Sequence, residues 1–351
     1  MKRLLLLLLL FVSLLPLKAQ SEGFRIAFYN VENLFDTDDN PLTADDEYLP
    51  DGNRRWTHYR YDRKQLRLMQ ALGAMAADEL PAVIGLCEVE SEEVLRYLTR
   101  ATPFGSAGYR YFLTESPDPR GINIAFLYRR ERFRPIARYD YRITPPAGFS
   151  PTRDVLHICG HTVGGDTLDI LFCHLPSRRG GQAASQPART AVHRRLLGVV
   201  DSLTAVRTEP RVVVMGDFND YPADLPPWLA SPVPRSAFVE AGESGASIMR
   251  FGDSPVSTET GAPLLNLMSA FPRGKGSYKY QGEWGFLDQI LVSPALIRSD
   301  GERRVRQVGV VDAPFLLTDD TTYGGLRPFR TYYGYRYEGG FSDHLPVFVD
   351  L

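Results

Sequence analysis

The chain has 351 residues, with 40 Lys and Arg against 42 Asp and Glu, and its formal net charge is −2 at pH 7. This balance excludes the strongly basic surface of a sequence-specific nucleic-acid-binding module, although metal ions can supply local positive charge to an enzyme that acts on nucleic acid. Three cysteines are too few for a disulfide framework in a chain of this length. Cys87, Cys159 and Cys173 are expected to be small buried side chains, with one Cys87–Cys173 bridge as the alternative in an oxidising compartment.

The N-terminus is typical of a secretory signal peptide. Lys2 and Arg3 precede an apolar run that continues to Leu17, and Leu17-Lys18-Ala19 offers a cleavage site. The run is shorter than the roughly 20 apolar residues of a membrane span, and no cysteine at the cleavage site offers a lipid anchor. We therefore expect a signal peptide over residues 1–19, export to the periplasm or the extracellular space, and no stable membrane anchor. Cleavage removes three positive charges, which changes the net charge from −2 to −5.

The mature region, residues 20–351, contains no Ser/Gly-rich or Pro-rich linker and no internal repeat, which favours a single domain. Apolar residues at helical spacing predict helices over residues 62–80, 91–100 and 189–203. Short apolar or β-branched runs predict strands at 24–29, 82–87, 109–113, 122–128, 155–159, 168–173, 212–215, 286–292, 305–311 and 345–349.

Many short strands with few helices favour an α+β fold, a four-layer α/β sandwich, over a doubly wound sheet. Residues 221–285 and 312–340 lack a clear pattern and are rich in Gly, Pro and Tyr. They are predicted to be long surface loops that shape a substrate cleft.

The stretch Val-Val-Val-Met-Gly-Asp-Phe-Asn-Asp, residues 212–220, places polar groups directly after a buried strand. Asp217 and Asn219 are two residues apart, so an extended backbone directs both side chains to one side. Gly, Asp and Asn also form ordinary turns. A turn and a functional site are therefore both open for this segment alone.

Five other predicted strands are also flanked by polar groups. Asn30, Glu88 and His174 each follow an apolar run, Asp288 lies near the start of another, and Asp343-His344 precedes the last. Such positions are also compatible with strand-edge solubility for the acids and with core or turn packing for the histidines. If the strand ends converge, they provide hard oxygen ligands that suit Mg²⁺ or Mn²⁺, together with two imidazoles.

Taken together, these segments resemble the endonuclease/exonuclease/phosphatase superfamily, which includes deoxyribonuclease-like enzymes, bacterial sphingomyelinases and inositol-polyphosphate phosphatases. The motifs follow the order of that family and span residues 24–351. They are Asn30-Val31-Glu32-Asn33, Gly85-Leu86-Cys87-Glu88-Val89, His174-Leu175-Pro176-Ser177, Gly216-Asp217-Phe218-Asn219-Asp220, Leu287-Asp288-Gln289-Ile290 and Ser342-Asp343-His344-Leu345-Pro346-Val347. The resemblance implies two facing β-sheets flanked by helices and Mg²⁺-dependent hydrolysis of a phosphate ester.

The resemblance also implies a metal site. Glu88 matches the metal-binding glutamate of the family, and Asn30 matches the asparagine that contacts metal-bound water or phosphate. Glu32 and Asp343 match acids near the metal. The expected cofactor is therefore Mg²⁺, with Mn²⁺ as the alternative.

The remaining matches imply the catalytic groups. Asp217 and Asn219 match the pair that orients the attacking water and the phosphoryl oxygen. His344 matches a histidine that pairs with an acid, here Asp288, and a carboxylate partner raises a histidine pKa. His174 matches the histidine that nuclease members place across the phosphate. Whether Asp217 or His344 takes the proton from water stays open at this stage.

Arginines near these motifs are candidates to clamp a phosphate. We expect Arg120 and Arg178 to bind substrate ahead of Arg327 and Arg330, although a solvated surface position is the alternative for each. Glu115 lies where deoxyribonuclease-like members carry a glutamate that supports the histidine corresponding to His174.

The sequence therefore predicts an exported, metal-dependent phosphoesterase that hydrolyses phosphodiester bonds, most simply an endonuclease-like nuclease acting on nucleic acid. A sphingomyelinase-like enzyme or an inositol-phosphate-type phosphatase is the alternative within the enzymes. A catalytically silent binding protein on the same scaffold is the alternative outside them. No protein partner is predicted.

Overall fold

The structure is a computed structural model that describes residues 23–240, 247–252, 262–297 and 304–351. The predicted signal peptide lies outside these residues and stays a prediction. Within the described part of the chain, no helix combines the length and the apolar character needed to cross a membrane.

Most of the described chain is β-structure. In chain order the strands are β1 (Arg25–Leu34), β2 (Val83–Val89), β3 (Arg110–Leu113), β4 (Asn123–Tyr128), β5 (Phe133–Tyr141), β6 (Val155–Thr162), β7 (Thr167–His174), β8 (Val212–Asp217), β9 (Ala230–Pro232), β10 (Phe238–Glu240), β11 (Ser247–Phe251), β12 (Leu264–Asn266), β13 (Tyr278–Tyr280), β14 (Glu283–Gly285), β15 (Asp288–Val292), β16 (Gln307–Val310), β17 (Leu317–Asp319), β18 (Leu326–Pro328), β19 (Tyr332–Tyr333), β20 (Arg336–Tyr337) and β21 (Val347–Asp350).

The three predicted helices form with shifted ends. They are α1 (His58–Ala74), α2 (Glu92–Arg96), which continues as a π-helical turn over Tyr97–Ala101, and α3 (Gln182–Val206). Ser91 caps α2, because its hydroxyl accepts a hydrogen bond from the Val94 amide at 3.4 Å.

The strands form two large mixed sheets and three two-stranded hairpins. Sheet 1 has the order β10-β11-β16-β21-β1-β2-β4-β3, and sheet 2 has the order β5-β6-β7-β8-β15-β12-β9. The pairs β1–β2, β7–β8 and β9–β12 are parallel, whereas the other neighbours in the two sheets are antiparallel. The hairpins are β13–β14, β17–β18 and β19–β20.

Sheet 2 is buried on both faces, as the alternation along β8 shows. Val213 and Met215 belong to the core between the sheets, whereas Val212 and Val214 pack with the α3 side chains on the opposite face. Across the sheets, the rings of Phe28 and Phe172 lie 5.8 Å apart. The sheets therefore face each other with helices outside them, which confirms the four-layer α/β sandwich.

Two parts of the strand prediction are wrong. Strand β5 was not predicted, because it is a half-exposed edge strand rich in charged residues and bulged at Pro135. The segments predicted to be loops, 221–285 and 312–340, contain short strands from β9 to β14 and from β17 to β20. All three cysteines are buried and free.

Candidate active site

Sheet 2 supplies three polar side chains from adjacent strands. In the ladder, His174 of β7 pairs with Asp217 of β8, and Asp217 pairs in turn with Asp288 of β15. Each residue continues the alternation that places Phe172, Met215 and their neighbours on the inner face. The three side chains therefore form a row that faces sheet 1 at the end of the sandwich.

Sheet 1 presents Asn30 and Glu88 toward this row, and the backbone brings Glu88 there by a bulge. A Cβ on Gly85 would lie 2.7 Å from the Phe172 ring, so Gly85 faces sheet 2. Regular alternation would direct Cys87 inward and Glu88 away. The register instead shifts between Cys87 and Val89, and Glu88 has φ of +64°. The bulge thus redirects the Glu88 carboxylate into the site.

Left-handed backbone is concentrated here. Six non-glycine residues of the described chain have positive φ, and four of them lie in the motifs identified in the sequence: Glu32, Asn33, Glu88 and Asn219. A non-glycine residue in this region costs of order 1–2 kcal/mol. Strain of this kind persists where the surrounding structure over-determines it, as it commonly does in functional sites.

Asn30 links the two sheets. Its Nδ2 donates to Asp217 Oδ2 at 3.0 Å and lies 3.4 Å from Glu88 Oε1. The second oxygen of each acid accepts a backbone amide, Asp217 Oδ1 from Asn219 and Glu88 Oε2 from Asn33, both at 2.9 Å. The two carboxylates are therefore held in fixed orientations on either side of one amide.

His344 and Asp288 form a buried dyad. His344 Nδ1 lies 2.7 Å from Asp288 Oδ2, and the Ser277 hydroxyl donates to the same oxygen at 2.5 Å. Burial lowers the pKa of His344, but the Asp288 and Asp217 carboxylates outweigh it and raise the pKa to about 10. The imidazole is therefore protonated at neutral pH, and its Nε2 lies 3.8 Å from Asp217 Oδ2.

The pKa of Asp217 is also raised, which for a carboxyl group favours the neutral form. Burial is the largest cause, and the nearby Asp288 and Glu88 add to it, while His344 acts against them. The pKa of Asp217 is raised to about 7. Asp217 is therefore poised to exchange a proton near neutral pH.

His174 is buried and neutral. Burial, followed by the charges of Arg153 and Arg120, lowers its pKa well below the usual range. Its Nε2 lies 3.6 Å from Asp217 Oδ2 and 3.8 Å from Glu88 Oε1, which is too long for a strong hydrogen bond. Its Nδ1 has no hydrogen-bond partner among the described residues.

The expected support of His174 by Glu115 does not form. Glu115 is exposed, and the described contact of its backbone is with Arg142. Arg153 instead holds the backbone, since its guanidinium donates to the carbonyls of His174 and Leu175 at 3.1 and 2.6 Å.

Glu32 and Asp343 point to other partners. The Glu32 carboxylate accepts the amides of Thr331 and Tyr332 at 2.6 and 3.1 Å, and burial, with the Asp343 charge, raises its pKa to about 7. The Asp343 carboxylate accepts a hydrogen bond from the Arg330 guanidinium at 2.8 Å. These two acids therefore organise the loop before β21, and the structure does not gather them with Glu88 around one point.

The two favoured arginines differ. The Arg120 side chain is 46 % exposed and lies 3.3 Å from Asp118. Arg178 is bonded internally: its Nε donates to the Asn219 carbonyl at 2.6 Å, and it pairs with Asp220 at 3.2 Å. Arg120 is thus partly exposed and paired with one acid, whereas the Arg178 guanidinium is bonded to the loop that carries Asn219.

The residues present fit a cation with few protein ligands. In the described ranges, no group of three or more His, Cys, Asp or Glu side chains is placed to hold a metal ion. Mg²⁺, however, is often held by one or two carboxylates, with waters and substrate phosphate as the other ligands. Glu88, beside Asn30 and 13 % exposed, offers such a carboxylate.

Sequence reasoning missed Lys64, which is 1 % exposed. Its ammonium donates to Thr331 Oγ1 and to the Phe341 carbonyl, both at 2.6 Å, and so ties α1 to the loop that carries His344. Burial lowers the pKa of Lys64 to about 8, with Glu32 and Asp343 acting against burial. A lysine in an amphipathic helix is predicted to be exposed, so the sequence carries no signal that Lys64 binds the loop before β21.

The comparisons with known proteins agree with this architecture. A family model described as the Endonuclease/Exonuclease/phosphatase family matches residues 25–227 and 247–351. No curated protein matches the sequence.

Similar solved structures include three that show the same fold. An endonuclease/exonuclease/phosphatase family protein from Bacteroides thetaiotaomicron is 15 % identical, with a TM-score of 0.52 over 94 % of this chain and 97 % of that one. The human Nocturnin catalytic domain is 15 % identical, with a TM-score of 0.50 over 93 % of each chain. A mannosyl-6-phosphatase from the same Bacteroides species is 14 % identical, with a TM-score of 0.50 over 93 % of this chain and 99 % of that one. Because the family model covers most of the sequence, the chain belongs to the endonuclease/exonuclease/phosphatase family, a family of phosphoesterases.

Proposed function

We propose that the protein is an exported enzyme that hydrolyses phosphate esters, phosphodiester bonds above all, by attack of water with a bound Mg²⁺ or Mn²⁺. The observation that supports this proposal is the convergence of the His344–Asp288 dyad with Asp217, Asn30 and Glu88 at one end of the sandwich. A purely binding protein has no need of a protonated histidine beside a carboxylate that titrates near pH 7.

Asp217 is suited to position and activate the water, and Asn219 to hold Asp217 in place through its backbone amide. The Asn219 side chain is itself engaged, since its Nδ2 donates to the Leu175 carbonyl at 2.9 Å. The Asn219 amide fixes Asp217 Oδ1, which leaves Oδ2 facing the site between Asn30 and the two histidines. A general base is most effective when its pKa lies near the working pH. The position of Asp217 Oδ2 and the raised pKa of this carboxyl group support Asp217, rather than His344, as the group that takes the proton of the attacking water.

His344 is suited to stabilise negative charge. Its imidazolium is held by Asp288, so it needs no reorientation when charge develops on the phosphoryl oxygens. Glu88, with Asn30 beside it, would hold the metal ion, which supplies further neutralisation of the phosphate and of the leaving oxygen. Arg120, partly exposed, adds a third positive group within electrostatic range of Glu88.

Nucleic acid is a second, finer proposal for the substrate. It is supported by His174, the residue on which the similarity to nuclease members rests. Its ring faces Asp217 and Glu88 at distances that leave Nε2 free for a phosphate oxygen.

The test is hydrolysis of bis-p-nitrophenyl phosphate and p-nitrophenyl phosphate by the mature protein, with Mg²⁺, with Mn²⁺ and with EDTA. We expect metal-dependent turnover that EDTA and Glu88→Gln abolish while the variant keeps its far-UV circular dichroism spectrum. Absence of turnover on every ester would favour the silent binding protein.

A panel of plasmid DNA, RNA, sphingomyelin and inositol phosphates then separates the substrate classes. Turnover of monoesters without diesters would favour a phosphatase. Export is tested separately, by expressing the full sequence in a Gram-negative host and determining the N-terminus of the periplasmic product.

A further inference from the structure

Residues 331–341 form a short excursion of the chain just before the dyad, with the hairpin β19–β20 between its two ends. The excursion closes on itself, because the Gly339 amide donates to the Thr331 carbonyl at 3.2 Å. Thr331 and Phe341, its first and last residues, are 2 and 1 % exposed, whereas Tyr335 at the turn is 61 % exposed. The segment therefore has a buried base beside the site and an exposed tip.

A single ammonium group is bonded to both ends of this segment. Lys64 Nζ donates to Thr331 Oγ1 and to the Phe341 carbonyl, both at 2.6 Å. The Glu32 carboxylate binds the first end a second time, since it accepts the Thr331 amide at 2.6 Å. Glu32 and Asp343 are also the acids whose charges act most strongly on Lys64. The base of the segment is thus held between a cation of α1 and an anion of β1.

Phe341 is three residues from His344, and two hydrogen bonds of Ser342 fix the chain between them. The Ser342 hydroxyl donates to the Asn30 carbonyl at 2.7 Å and accepts the His344 amide at 3.1 Å. His344 Nδ1 then lies 2.7 Å from Asp288 Oδ2. A displacement of the Phe341 carbonyl would therefore be passed through Ser342 to the imidazole of the dyad.

Stability alone gives no reason for an ammonium group at this position. Burying a charge costs free energy, and well-packed apolar side chains of similar volume often replace a buried ion pair without loss of stability. An apolar side chain, however, cannot supply hydrogen bonds of defined direction. Both hydrogen bonds of Lys64 end on the segment that precedes the dyad.

The next residue of α1 offers a matched comparison. Gln65 is 0 % exposed, and its Nε2 donates to the Val94 carbonyl of α2 at 3.1 Å. This hydrogen bond ties the same helix to α2 and not to residues 331–341. Replacing either Lys64 or Gln65 by Met removes a buried polar anchor of α1, but only the first replacement releases the segment before His344.

We propose that Lys64 is a positioning residue for the reaction. By holding both ends of residues 331–341, it sets the orientation of the His344 imidazolium relative to the phosphoryl group. This inference rests on the proposed phosphoesterase function, and in this role Lys64 contacts neither the substrate nor the reacting atoms. Because His344 stabilises charge that develops during the reaction, its misplacement lowers the rate of turnover more than it weakens the binding of substrate.

The first experiment compares Lys64→Met with Gln65→Met on the preferred phosphate ester at saturating Mg²⁺, with thermal unfolding of both variants. Lys64→Met should lower kcat by a factor of about 10–10² and leave KM within about twofold, because a misplacement of about 1 Å costs that much. Gln65→Met should leave kcat and KM within about twofold of the wild type. An equal loss of kcat in the two variants, or a change confined to KM, would overturn the proposal.

If Lys64→Met does not fold, Thr331→Val takes its place. Valine has the shape of threonine without the hydroxyl, so Lys64 loses one acceptor while the Glu32 carboxylate keeps the backbone amide of residue 331. We expect kcat to fall about threefold with KM unchanged, since one hydrogen bond of the anchor is lost. An unchanged kcat in this folded variant would then overturn the proposal.

The second experiment needs no turnover and so separates this inference from the proposed function. Protein labelled with ¹⁵N-histidine is studied by NMR at neutral pH, and the His344 signals are identified by their loss in His344→Gln. Lys64→Met should shift or split the His344 ring signals, whereas Gln65→Met should leave them in place. Unmoved signals in Lys64→Met would overturn the positioning role even if the enzyme hydrolyses esters. Moved signals support it even if no ester is hydrolysed, the outcome in which the proposed function alone fails.

Discussion

The two sheets contribute to the site in different ways. Sheet 2 places His174, Asp217 and Asp288 in one row through regular strand register, with no unusual backbone. Sheet 1 places Glu88 only because a bulge and a left-handed φ reverse its direction. The acid–base groups thus depend on ordinary strand pairing, whereas the candidate metal ligand depends on backbone strain held by its surroundings.

The largest expected effect on activity comes from a residue of sheet 2, Asp217. Asp217→Asn should lower kcat about 10³-fold or more, because general base catalysis contributes a factor of about 10²–10⁴. In addition, Asp217 Oδ2 accepts a hydrogen bond from Asn30 Nδ2, which the substitution perturbs. Steady-state kinetics on the preferred ester checks this, with thermal unfolding as the control for folding. A loss smaller than about tenfold would remove Asp217 as the base.

Asp288→Asn should lower kcat by about 10²-fold at neutral pH and change the pH profile. In the wild type, kcat/KM should rise as Asp217 loses its proton near pH 7 and fall as His344 loses its proton near pH 10. Loss of the Asp288 carboxylate lowers the pKa of His344, so the alkaline limb should move to lower pH. An unmoved limb would contradict the assignment of His344.

The raised pKa of His344 also makes the free energy of unfolding depend on pH. Since the pKa of His344 in the folded state lies above its ordinary value, its contribution to the free energy of unfolding is complete below about pH 6.5. That contribution is lost as the pH rises through about 10. Urea unfolding of the wild type and Asp288→Asn across this range should converge at the alkaline end.

Arg178→Ala should lower kcat about tenfold, a smaller effect, because Arg178 acts on Asn219 through the backbone carbonyl and does not face the reaction. The matched control is its exposed neighbour, Arg179→Ala, for which no change is expected. If Arg178→Ala raised KM for phosphate esters and left kcat unchanged, Arg178 would instead bind substrate, as the sequence predicts.

The smallest effect tests the strain itself. At Glu88, Gly should make the protein more stable than Ala by about 1 kcal/mol, because glycine accepts positive φ without cost. At Asp288, in a regular strand, Gly should be less stable than Ala by about 0.5–1 kcal/mol. Urea unfolding of the four variants measures both differences in stability between Gly and Ala. If these differences had the same sign at both positions, Glu88 would not carry the backbone strain inferred from its φ.

Much of the fold could be predicted because its central strands are buried on both faces. Strands β7, β8 and β15 are rich in apolar and β-branched residues, and the polar residues at their ends identify the row of sheet 2. Strand β5 is exposed and charged, so its pattern gives no such signal.

The parts of the site that could not be predicted depend on a local departure from strand alternation or on contacts between residues far apart in the sequence. Alternation along β2 would turn Glu88 away, so its position after an apolar run and the similarity of motifs indicate the site, but not the bulge that directs the carboxylate into it. Lys64 and Glu32 reach the loop at Thr331 over about 270 and 300 residues of chain, contacts that no local pattern specifies. Arg178 was assigned from proximity in sequence, which does not reveal an internal ion pair.

The position of β21 has a consequence for folding. Residues 347–350 lie in the interior of sheet 1 between β1 and β16, and Asp350 bonds to Arg25 at 2.7 Å. Sheet 1 therefore becomes continuous only through a contact between residues 325 apart in sequence. Because the entropy of closing so long a loop must be overcome before this pairing stabilises the chain, we expect β21, and with it the neighbouring His344, to be positioned late in folding.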